Sequence, residues 1–328
     1  MQKVVVGLGE LLWDMLPAGK RLGGAPANFT VMASRLGNHG VIASRLGSDP
    51  LGVEARDVLK AFPADISLLQ TDPVYPTGTV GVEIREGEPH YVIHEPAAWD
   101  FMEWTPQWRA LAQSADAVCF GSLAQRHPVS RATIREFVAA TRPECVRVFD
   151  VNLRPPFFTA DIIAESLAAA TIFKLNELEV PQVLAMLDMP PPETTGEPAL
   201  FDAARALLRK YPLELVAITM GGYGSLLVTR DHYQRHPGIT IKIADTVGAG
   251  DAFTAALVDS YLSGASLAPA SLVPASLVPA SLVQMSEAAN RWGAWVASQP
   301  GAMPPLDDAT LAAIQEQIRA AQNSASLS

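Results

Sequence analysis

Short apolar runs rich in β-branched residues alternate with helix-like segments along most of this chain. The runs predict six strands: Lys3–Leu8, Val41–Ser44, Ala117–Phe120, Arg147–Asp150, Thr171–Lys174 and Leu215–Thr219. The segments between them predict six helices: Pro26–Leu36, Pro50–Phe62, Pro128–Thr141, Ile162–Ala169, Glu177–Leu187 and Ala199–Tyr211. This alternation, with strands that are apolar throughout, predicts a mostly parallel sheet covered by helices on both faces. Ligands of such sheets bind beyond the carboxyl ends of the strands, so the residues that follow each strand are the candidates for a site.

The overall composition limits the classes of partner. The 328 residues are 49% hydrophobic and 18% charged, as in an ordinary globular protein. The formal net charge of −10 argues against a nucleic-acid or membrane-surface partner, which would need a basic face. An anionic small molecule stays compatible with that charge, because helix amino termini bind phosphate locally. The amino-terminal apolar run is too short for a signal peptide, and no segment approaches the ~20 apolar residues of a membrane span. A cytoplasmic protein is therefore expected.

Two segments interrupt the alternation. Thr77–Arg85 and His90–His94 have the pattern of a β-hairpin that no helix follows directly. Together with the irregular stretch Trp13–Gly23, they could form a small accessory sheet. Either a flap over the ligand end of the main sheet or a plain edge hairpin fits this pattern.

A pentapeptide, Pro-Ala-Ser-Leu-Val, occurs three times without change at Pro269–Val283, after an imperfect copy that begins at Ala265. A proline at every fifth residue is incompatible with one continuous helix, and the period matches neither a helix nor a strand. We therefore expect a surface loop over residues 265–283, without a function of its own.

The glycines near the amino terminus do not make a dinucleotide-binding fingerprint. Gly7 and Gly9 belong to the first strand and its end, but Leu12 stands where a third Gly or Ala belongs, and no clean helix follows. Asp14 lies just beyond. It is either a turn residue or a carboxylate placed to accept hydrogen bonds from ligand hydroxyls.

Polar residues also follow the strands farther along the chain. In Gly23–Asn28 two glycines precede a proline, as at a helix start, and Asn28 serves either that helix or a polar ligand. After a later strand, the chain gathers Asp150, Asn152 and Arg154. A guanidinium in such a loop suits a phosphate or a carboxylate, which it can bind with two hydrogen bonds.

Asn176 and Glu179 follow the next predicted strand at helical spacing. An amide and a carboxylate at this position are suitable for holding hydrated Mg²⁺ beside phosphates. The same spacing fits a capping box, in which the two side chains satisfy the backbone of a helix start. The sequence leaves both interpretations open.

Two glycine-rich stretches lie in the last third of the chain. Thr219–Ser225 joins the strand that ends at Thr219 to a further strand predicted at Leu226–Thr229, a context that does not fit a Walker loop but can border a nucleotide. Gly248, Ala249 and Gly250 lead into an apolar helical pattern with Asp251 in its first turn. Small residues there let a ligand approach the backbone, and the N–H groups of a helix start attract anions. By itself, Asp251 could equally be a routine complement to the helix dipole.

In their order along the chain, five motifs resemble those of the ribokinase-like sugar kinases, the phosphofructokinase B family. They are Gly-Gly-Ala-Pro-Ala-Asn (23–28), Asp-Val-Asn-Leu-Arg (150–154), Lys-Leu-Asn-Glu-Leu-Glu (174–179), Thr-Met-Gly-Gly-Tyr-Gly (219–224) and Asp-Thr-Val-Gly-Ala-Gly-Asp (245–251). The resemblance implies a three-layer α/β sandwich with a small β-sheet lid, and transfer of the γ-phosphoryl group of ATP to a sugar hydroxyl. It places the main domain at residues 1–12, 24–75 and 105–328 and the lid at 13–23 and 76–104.

The resemblance also implies which residues carry the chemistry. The amides of Gly248, Ala249 and Gly250 would stabilise charge on the transferred phosphoryl group, and Asp251 would take the proton from the attacking hydroxyl. The residues implied to bind the sugar are Asp14, Gly24, Asn28 and Arg154.

The remaining implied roles concern the nucleotide and cations. Thr219, Gly221 and Gly224 would border ATP, and Asn290 would lie near its adenine. Asn176 and Glu179 would organise Mg²⁺ with its waters. Asp245 matches a residue near a K⁺ site in some relatives.

Two features depart from the family pattern. Val247 stands where many relatives have a second Thr, and the pentapeptide repeat lies where relatives have a shorter link. The amino-terminal motifs are most similar to those of fructokinases, so fructose, phosphorylated on its primary 6-hydroxyl, is the expected substrate. Ribokinase, 2-keto-3-deoxygluconate kinase and nucleoside kinase activities stay open, as does a catalytically silent sugar- or nucleotide-binding regulator. A homodimer formed through the lid is a further expectation.

Overall fold

The computed structural model describes residues 2–17, 19–85, 88–265 and 279–325. Residue contacts divide the chain into two compact units. The first comprises Met1–Cys145 and Leu153–Phe158, and the second comprises Val146–Asn152 and Thr159–Ser328. The predicted lid residues, 13–23 and 76–104, all belong to the first unit, and the boundary between lid and main domain stays a prediction.

The first unit contains a parallel sheet and a separate accessory sheet. Its strands are β1 (Val4–Leu8), β2 (Leu12–Leu16), β3 (Gly19–Gly23), β4 (His39–Ala43), β5 (Arg45–Gly47), β6 (Gln70–Asp72), β7 (Gly78–Arg85), β8 (Glu88–Ile93) and β9 (Ala117–Phe120). Its helices are α1 (Ala25–Arg35), α2 (Pro50–Leu59), α3 (Pro106–Ser114) and α4 (Pro128–Ala140). Strand β1 pairs in parallel with both β4 and β9. Val5, Val6 and Leu8 of β1 are fully buried, which explains why this strand is apolar throughout.

The accessory sheet has the strand order β3-β2-β7-β8. Strands β7 and β8 form an antiparallel hairpin, β2 pairs in parallel with β7, and β2 and β3 are antiparallel. The hairpin and the accessory sheet predicted from the sequence are therefore confirmed. The stretch at 13–23 is more regular than predicted, since it supplies most of both β2 and β3.

The second unit continues the strand–helix alternation. Its strands are β10 (Val146–Asp150), β11 (Ile172–Asn176), β12 (Leu215–Thr219), β13 (Ser225–Val228) and β14 (Tyr233–His236), and its helices are α5 (Ala160–Ala169), α6 (Glu179–Met186), α7 (Glu197–Lys210), α8 (Ala249–Ala265), α9 (Pro279–Ala297) and α10 (Asp308–Ala325). Strands β10, β11 and β12 are parallel, and β13 and β14 extend the sheet in antiparallel fashion. The stacked rings of Phe149 and Phe173 lie 5.6 Å apart on adjacent strands and form part of the core.

The fold class is confirmed: this is an α/β protein with a mostly parallel sheet. Each predicted strand and helix is present, with ends shifted by at most three residues. The pattern did not predict α3, α10 or the short strands β5, β6 and β14. None of the helices in the described part of the chain is long and apolar enough to cross a membrane.

Most of the pentapeptide repeat lies outside the described residues. Helix α9 begins at Pro279, so the third copy of the repeat lies in a helix, and Leu282 within it is fully buried. In this respect the structure differs from the expectation of a loop that continues to residue 283. Proline is well tolerated in the first turn of a helix, which explains how α9 starts inside the repeat.

Candidate active site

Helix α8 begins at a point where only glycine fits. Gly248 has φ +79°, and a Cβ at this position would lie 2.6 Å from Cα of Ala302. The N–H of Ala252 donates to the carbonyl of Gly248 at 2.9 Å, which closes the first helical turn. The N–H of Ala249 donates to Thr246 O at 3.3 Å, a long bond that an anion at the helix end would compete with. The first-turn amides have no acceptor within the helix, so this end is suited to binding an anion.

The body of α8 is anchored in the core, so its first turn is held firmly. The helix residues buried to at least 96% of their surface are Ala252, Phe253, Thr254, Ala255, Ala256, Leu257 and Val258. Asp251 belongs to the first turn and is half-buried. The catalytic candidates Gly248, Ala249, Gly250 and Asp251 are thus brought together at one rigid helix start.

Lys174, in the middle of β11, is a residue that the sequence reasoning missed. Its Nζ donates to Asp150 Oδ1 at 3.1 Å, and both side chains are buried. Burial opposes the ammonium, but the nearby charges of Asp150, Glu179 and Asp251 outweigh this effect, and the pKa of Lys174 is raised above its usual value. A lysine at the end of an otherwise apolar strand was the available signal in the sequence.

Asn176 and Glu179 form the capping box that the sequence left open as one of two interpretations. The N–H of Asn176 donates to Glu179 Oε2 at 2.8 Å, and the N–H of Glu179 donates to Asn176 Oδ1 at 3.0 Å. These bonds close the turn that leads into helix α6 and orient the buried carboxylate of Glu179. A capping carboxylate retains further lone pairs, so this geometry is compatible with Mg²⁺ bound through Glu179, phosphate oxygens and water. Among the described residues, no group of three or more His, Cys, Asp or Glu side chains forms a metal-binding cluster.

The glycine-rich turn after β12 packs closely against a second turn. Gly221 and Gly224 have φ +53° and +87°, and a Cβ on Gly224 would lie 2.1 Å from His236 O. Asn290 of α9 donates through Nδ2 to Ser225 Oγ at 2.7 Å. The structure therefore places Asn290 beside the same turn as Gly224. Thr219 ends β12, and its Oγ1 lies 3.5 Å from Leu175 O.

Asp245 connects the segment before α8 to the turn at Gly301. Its Oδ1 accepts from the N–H of Val247 and its Oδ2 accepts from the N–H of Gly301, both at 3.1 Å. Ala302, which follows Gly301, is the residue that excludes a side chain at Gly248. These contacts give Asp245 a clear role in shaping the start of α8, and its predicted role beside K⁺ stays a prediction.

The sugar-binding candidates Asp14, Gly24 and Asn28 surround one turn in the first unit. Oδ2 of Asp14 lies 3.0 Å from the position of a Cβ on Gly23. Gly24 has φ +117°, and a Cβ there would lie 2.4 Å from Glu10 O, so the turn requires glycine. The N–H of Asn28, which is buried in the first turn of α1, donates to Gly24 O at 3.0 Å.

Arg154, the fourth sugar-binding candidate, is exposed. Its Nη1 donates to Leu153 O at 3.2 Å, and its carbonyl accepts from the N–H of Phe157 at 2.8 Å. Phe157 holds this loop in place, because its ring lies 4.7 Å from the guanidinium of Arg126. These contacts anchor Arg154 within its own loop.

A glycine-lined helix start with a first-turn carboxylate and a buried lysine is suited to binding an anion, and comparison with known proteins gives the class of protein. Residues 17–309 match the pfkB family of carbohydrate kinases. The chain belongs to this family, and it is a sugar phosphotransferase.

Three relatives illustrate the range of similar proteins. The fructokinase of Escherichia coli is 28% identical over 314 residues, which cover 91% of this chain and 94% of that protein. The structure of fructokinase from Vibrio cholerae O395 with fructose, ADP and calcium ion bound has a TM-score of 0.74 at 25% identity and covers 96% of this chain and 99% of that one. Aminoimidazole riboside kinase from Salmonella enterica, complexed with aminoimidazole riboside and an ATP analogue, has the same TM-score of 0.74 and 25% identity and covers 95% of this chain and 100% of that one.

Proposed function

We propose that this protein is an ATP-dependent ketose kinase that phosphorylates fructose on its 6-hydroxyl. The observation that carries the proposal is the start of α8, where the glycine-bounded first turn presents amides and a half-buried carboxylate together. Phosphoryl transfer depends on positioning and on stabilising charge more than on covalent chemistry. A rigid helix end with a carboxylate in its first turn provides both.

In the proposed reaction, the sugar oxygen forms a bond to the γ-phosphorus while the bond between that phosphorus and the leaving oxygen of ADP breaks. Asp251 accepts the proton of the attacking hydroxyl. The amides of Gly248, Ala249 and Gly250 stabilise the charge on the transferred group. For Ala249, this requires an exchange of its long bond to Thr246 O for a bond to the phosphoryl oxygen.

The other candidates hold the two substrates. Asp14, Gly24 and Asn28 bind the sugar hydroxyls, and Arg154 reaches the sugar or a phosphate. Thr219, Gly221 and Gly224 border the nucleotide, with Asn290 near the adenine. Mg²⁺, when bound through Glu179 and water beside Asn176, neutralises phosphate charge. K⁺ beside Asp245 is a further element of the proposal.

Fructose is favoured because a fructokinase is 28% identical over most of both chains, and a solved fructokinase that binds fructose has a similar fold. Aminoimidazole riboside is the second candidate. The kinase that binds it matches this chain with the same TM-score and identity as that solved fructokinase.

The proposal also includes the cellular location and the oligomeric state of the enzyme. A cytoplasmic location suits an ATP-dependent sugar kinase, and the exposed Met15 on β2 suits a homodimer formed through the accessory sheet. Light scattering of the purified protein checks the second point: a mass of twice 35.0 kDa is expected. A mass of one chain at micromolar concentration would remove the dimer from the proposal.

An ADP-release screen tests the substrate. Fructose, ribose, tagatose, 2-keto-3-deoxygluconate, aminoimidazole riboside and common nucleosides are compared, each with and without Mg²⁺ and K⁺. We expect the highest kcat/KM for fructose, activity that needs Mg²⁺, and stimulation by K⁺. A kcat/KM at least about tenfold higher for any other compound, a preference of about 1.4 kcal/mol, would overturn the fructose assignment and leave the kinase class intact.

A further inference from the structure

A continuous set of contacts runs from Lys174 to the first turn of α8. Asp150, which accepts a hydrogen bond from Lys174 through Oδ1, lies with its Oδ2 3.2 Å from Thr254 Oγ1. The Thr254 hydroxyl also lies 2.9 Å from the carbonyl of Gly250, and its single proton bonds to one of these acceptors at a time. Strand β11 is thereby connected through β10 to the helix start, by side chains that are all buried.

Lys174 also approaches the helix start directly. A Cβ placed on Gly250 would lie 3.1 Å from Nζ of Lys174. That separation is tighter than ordinary van der Waals contact, so even an alanine here would press on the ammonium. The absence of a side chain at Gly250 therefore has a second reason besides access for a ligand.

Stability alone does not account for a lysine at this position. A buried ion pair contributes little net stability, because the desolvation of both charges offsets their attraction. The amino end of a helix carries partial positive charge, so an ammonium beside it is also unfavourable for the helix dipole. The arrangement becomes favourable when negative charge is present at the same place, and an arriving phosphoryl group would add to the negative charge of Asp251.

We propose that Lys174 is a positioning residue for phosphoryl transfer. Through Asp150 and Thr254 it fixes the first turn of α8, and its ammonium supplies positive potential where Asp251 and the transferred group would carry negative charge. The inference rests on the proposed function of the α8 start, and it adds a residue that acts through its neighbours.

Paired substitutions separate this role from simple stabilisation. Lys174→Met leaves Asp150 buried without its partner, so a loss of both kcat and Tm is expected. Adding Asp150→Asn removes the unpaired charge, and we expect Tm to recover while kcat stays at least about 100-fold below wild type, as for other losses of preorganised electrostatic stabilisation. The KM values for the sugar and ATP are expected to change less than about threefold, because the proposed role of Lys174 lies in the transition state and not in binding of the substrates.

Two control variants complete the experiment. Asp150→Asn alone retains the ammonium and leaves an amide at position 150 that can still bond to the Thr254 hydroxyl, so it is expected to keep a clearly higher kcat than the double variant. The pair Arg45–Asp72, equally buried in the first unit with 2.8 Å between Nε and Oδ2, provides a matched control. Arg45→Met with Asp72→Asn is expected to lower Tm and leave kcat unchanged.

Three results would overturn the role of Lys174. The first is a double variant at Lys174 and Asp150 whose kcat lies within about fivefold of wild type, well short of the loss expected for electrostatic preorganisation. The second is an Asp150→Asn variant as inactive as the double variant. The third is a control pair, at Arg45 and Asp72, that loses kcat to the same extent. Failure of the proposed function is distinguishable, because in that case the wild-type protein itself would release no ADP with any sugar.

Discussion

The backbone conformation at Gly248 requires a glycine. Its φ of +79° is unfavourable for any residue with a side chain, and Ala302 occupies the space that a Cβ would need. Around the Cβ position of Gly264, near the other end of the same helix, no atom in the described part of the chain lies within 4 Å, apart from its chain neighbours and the helix backbone. The two glycines therefore make a matched pair, one required by geometry and one not.

Gly248→Ala is expected to destabilise the protein by about 1–3 kcal/mol and to lower kcat, because the strain falls on the start of α8. Gly264→Ala in the same helix is expected to stabilise the protein by up to about 1 kcal/mol and to leave kcat unchanged. Thermal unfolding and steady-state kinetics of both variants provide the comparison. Equal behaviour of the two would mean that the turn at Gly248 tolerates a side chain.

Asp14→Ala is expected to weaken sugar binding by about 2–4 kcal/mol and to leave ATP binding unchanged, because the lost carboxylate would leave sugar hydroxyls unpaired. Calorimetric titration with the preferred sugar and with ATP measures both. Asp57→Ala is a suitable control, since Asp57 is exposed and pairs with Lys60 at the surface. Unchanged sugar affinity in Asp14→Ala would refute the role of Asp14.

Some candidate residues of the site could be identified from the sequence and others could not. Gly248 and Gly24 were identified because a glycine before a helix start has few explanations other than backbone geometry. Asn176 and Glu179 could not be assigned, since capping and metal binding use the same residues at the same spacing. Lys174 was missed because its importance comes from Asp150 and Glu179, which lie close to it only after folding.

Among the elements, only the third copy of the pentapeptide repeat lies within the described residues. Its third copy lies in α9, where Leu282 is fully buried, whereas its first two copies lie outside the described residues. Because the copies are identical, removal of two of them leaves the sequence that enters α9 unchanged. The segment before α9 can therefore be shortened without any change to the sequence of the helix.

Deletion of Pro269–Val278 is expected to leave a folded and active enzyme, because loop length affects stability by only about 0.6 kcal/mol per doubling. Deletion of Pro269–Val283 also removes Leu282, and we expect a loss of about 2–5 kcal/mol, as for truncation of a buried leucine. Thermal unfolding of both deletions is the measurement. A shorter deletion that fails to fold would show that the first two copies contribute to the core.

Strands and helices could be predicted from the sequence where their pattern of apolar residues was long enough to show a period. The strands of the parallel sheet are continuous apolar runs, and most of the helices between them are ten residues or longer. Strands β5 and β6 have three residues each, too few to show alternation. The loop predicted from the repeat was wrong from Pro279 onward, because a proline that ends one helix is equally suited to begin another.

At the scale of the whole molecule, each unit carries one part of the proposed chemistry. The first unit holds Asp14, Gly24 and Asn28, and the second holds the nucleotide and catalytic candidates. The sequence predicted the α/β class from local patterns alone. It did not predict this division of the chain, which depends on the number of contacts between distant segments.

The stability of the second unit should depend on pH through Glu287. Its carboxylate accepts from His236 Nε2 at 3.0 Å and from Arg291. The hydrogen bond from His236 is the largest cause of a pKa below the usual 4.5 of a glutamate, with Arg291 acting in the same direction. The folded state therefore binds fewer protons than the unfolded state near that pH, so this stabilisation is present above 4.5 and is lost as the pH falls through the lowered pKa.

Glu287→Gln is expected to lower stability by about 1–3 kcal/mol at neutral pH and to weaken the decline of Tm as the pH falls below the usual pKa of a glutamate. The control is Glu316→Gln, a substitution on the exposed face of α10, whose curve should parallel that of the wild type. A Glu287→Gln curve that also runs parallel to wild type would show that the contact with His236 contributes no pH-dependent stability.

Asp251 is the proposed base at the start of α8, and Asp251→Asn is the direct test of that role. The substitution keeps the size of the side chain and its place in the first turn, so the amides there should be unaffected and ATP should still bind. It removes the proton acceptor, and we predict a kcat lower by about 10²–10⁴-fold, the usual contribution of a general base. A carboxylate that served only the helix dipole would contribute less than about 1 kcal/mol to stability. A variant that binds ATP normally and keeps kcat within about fivefold of the wild type, well short of the general-base range, would contradict the mechanism.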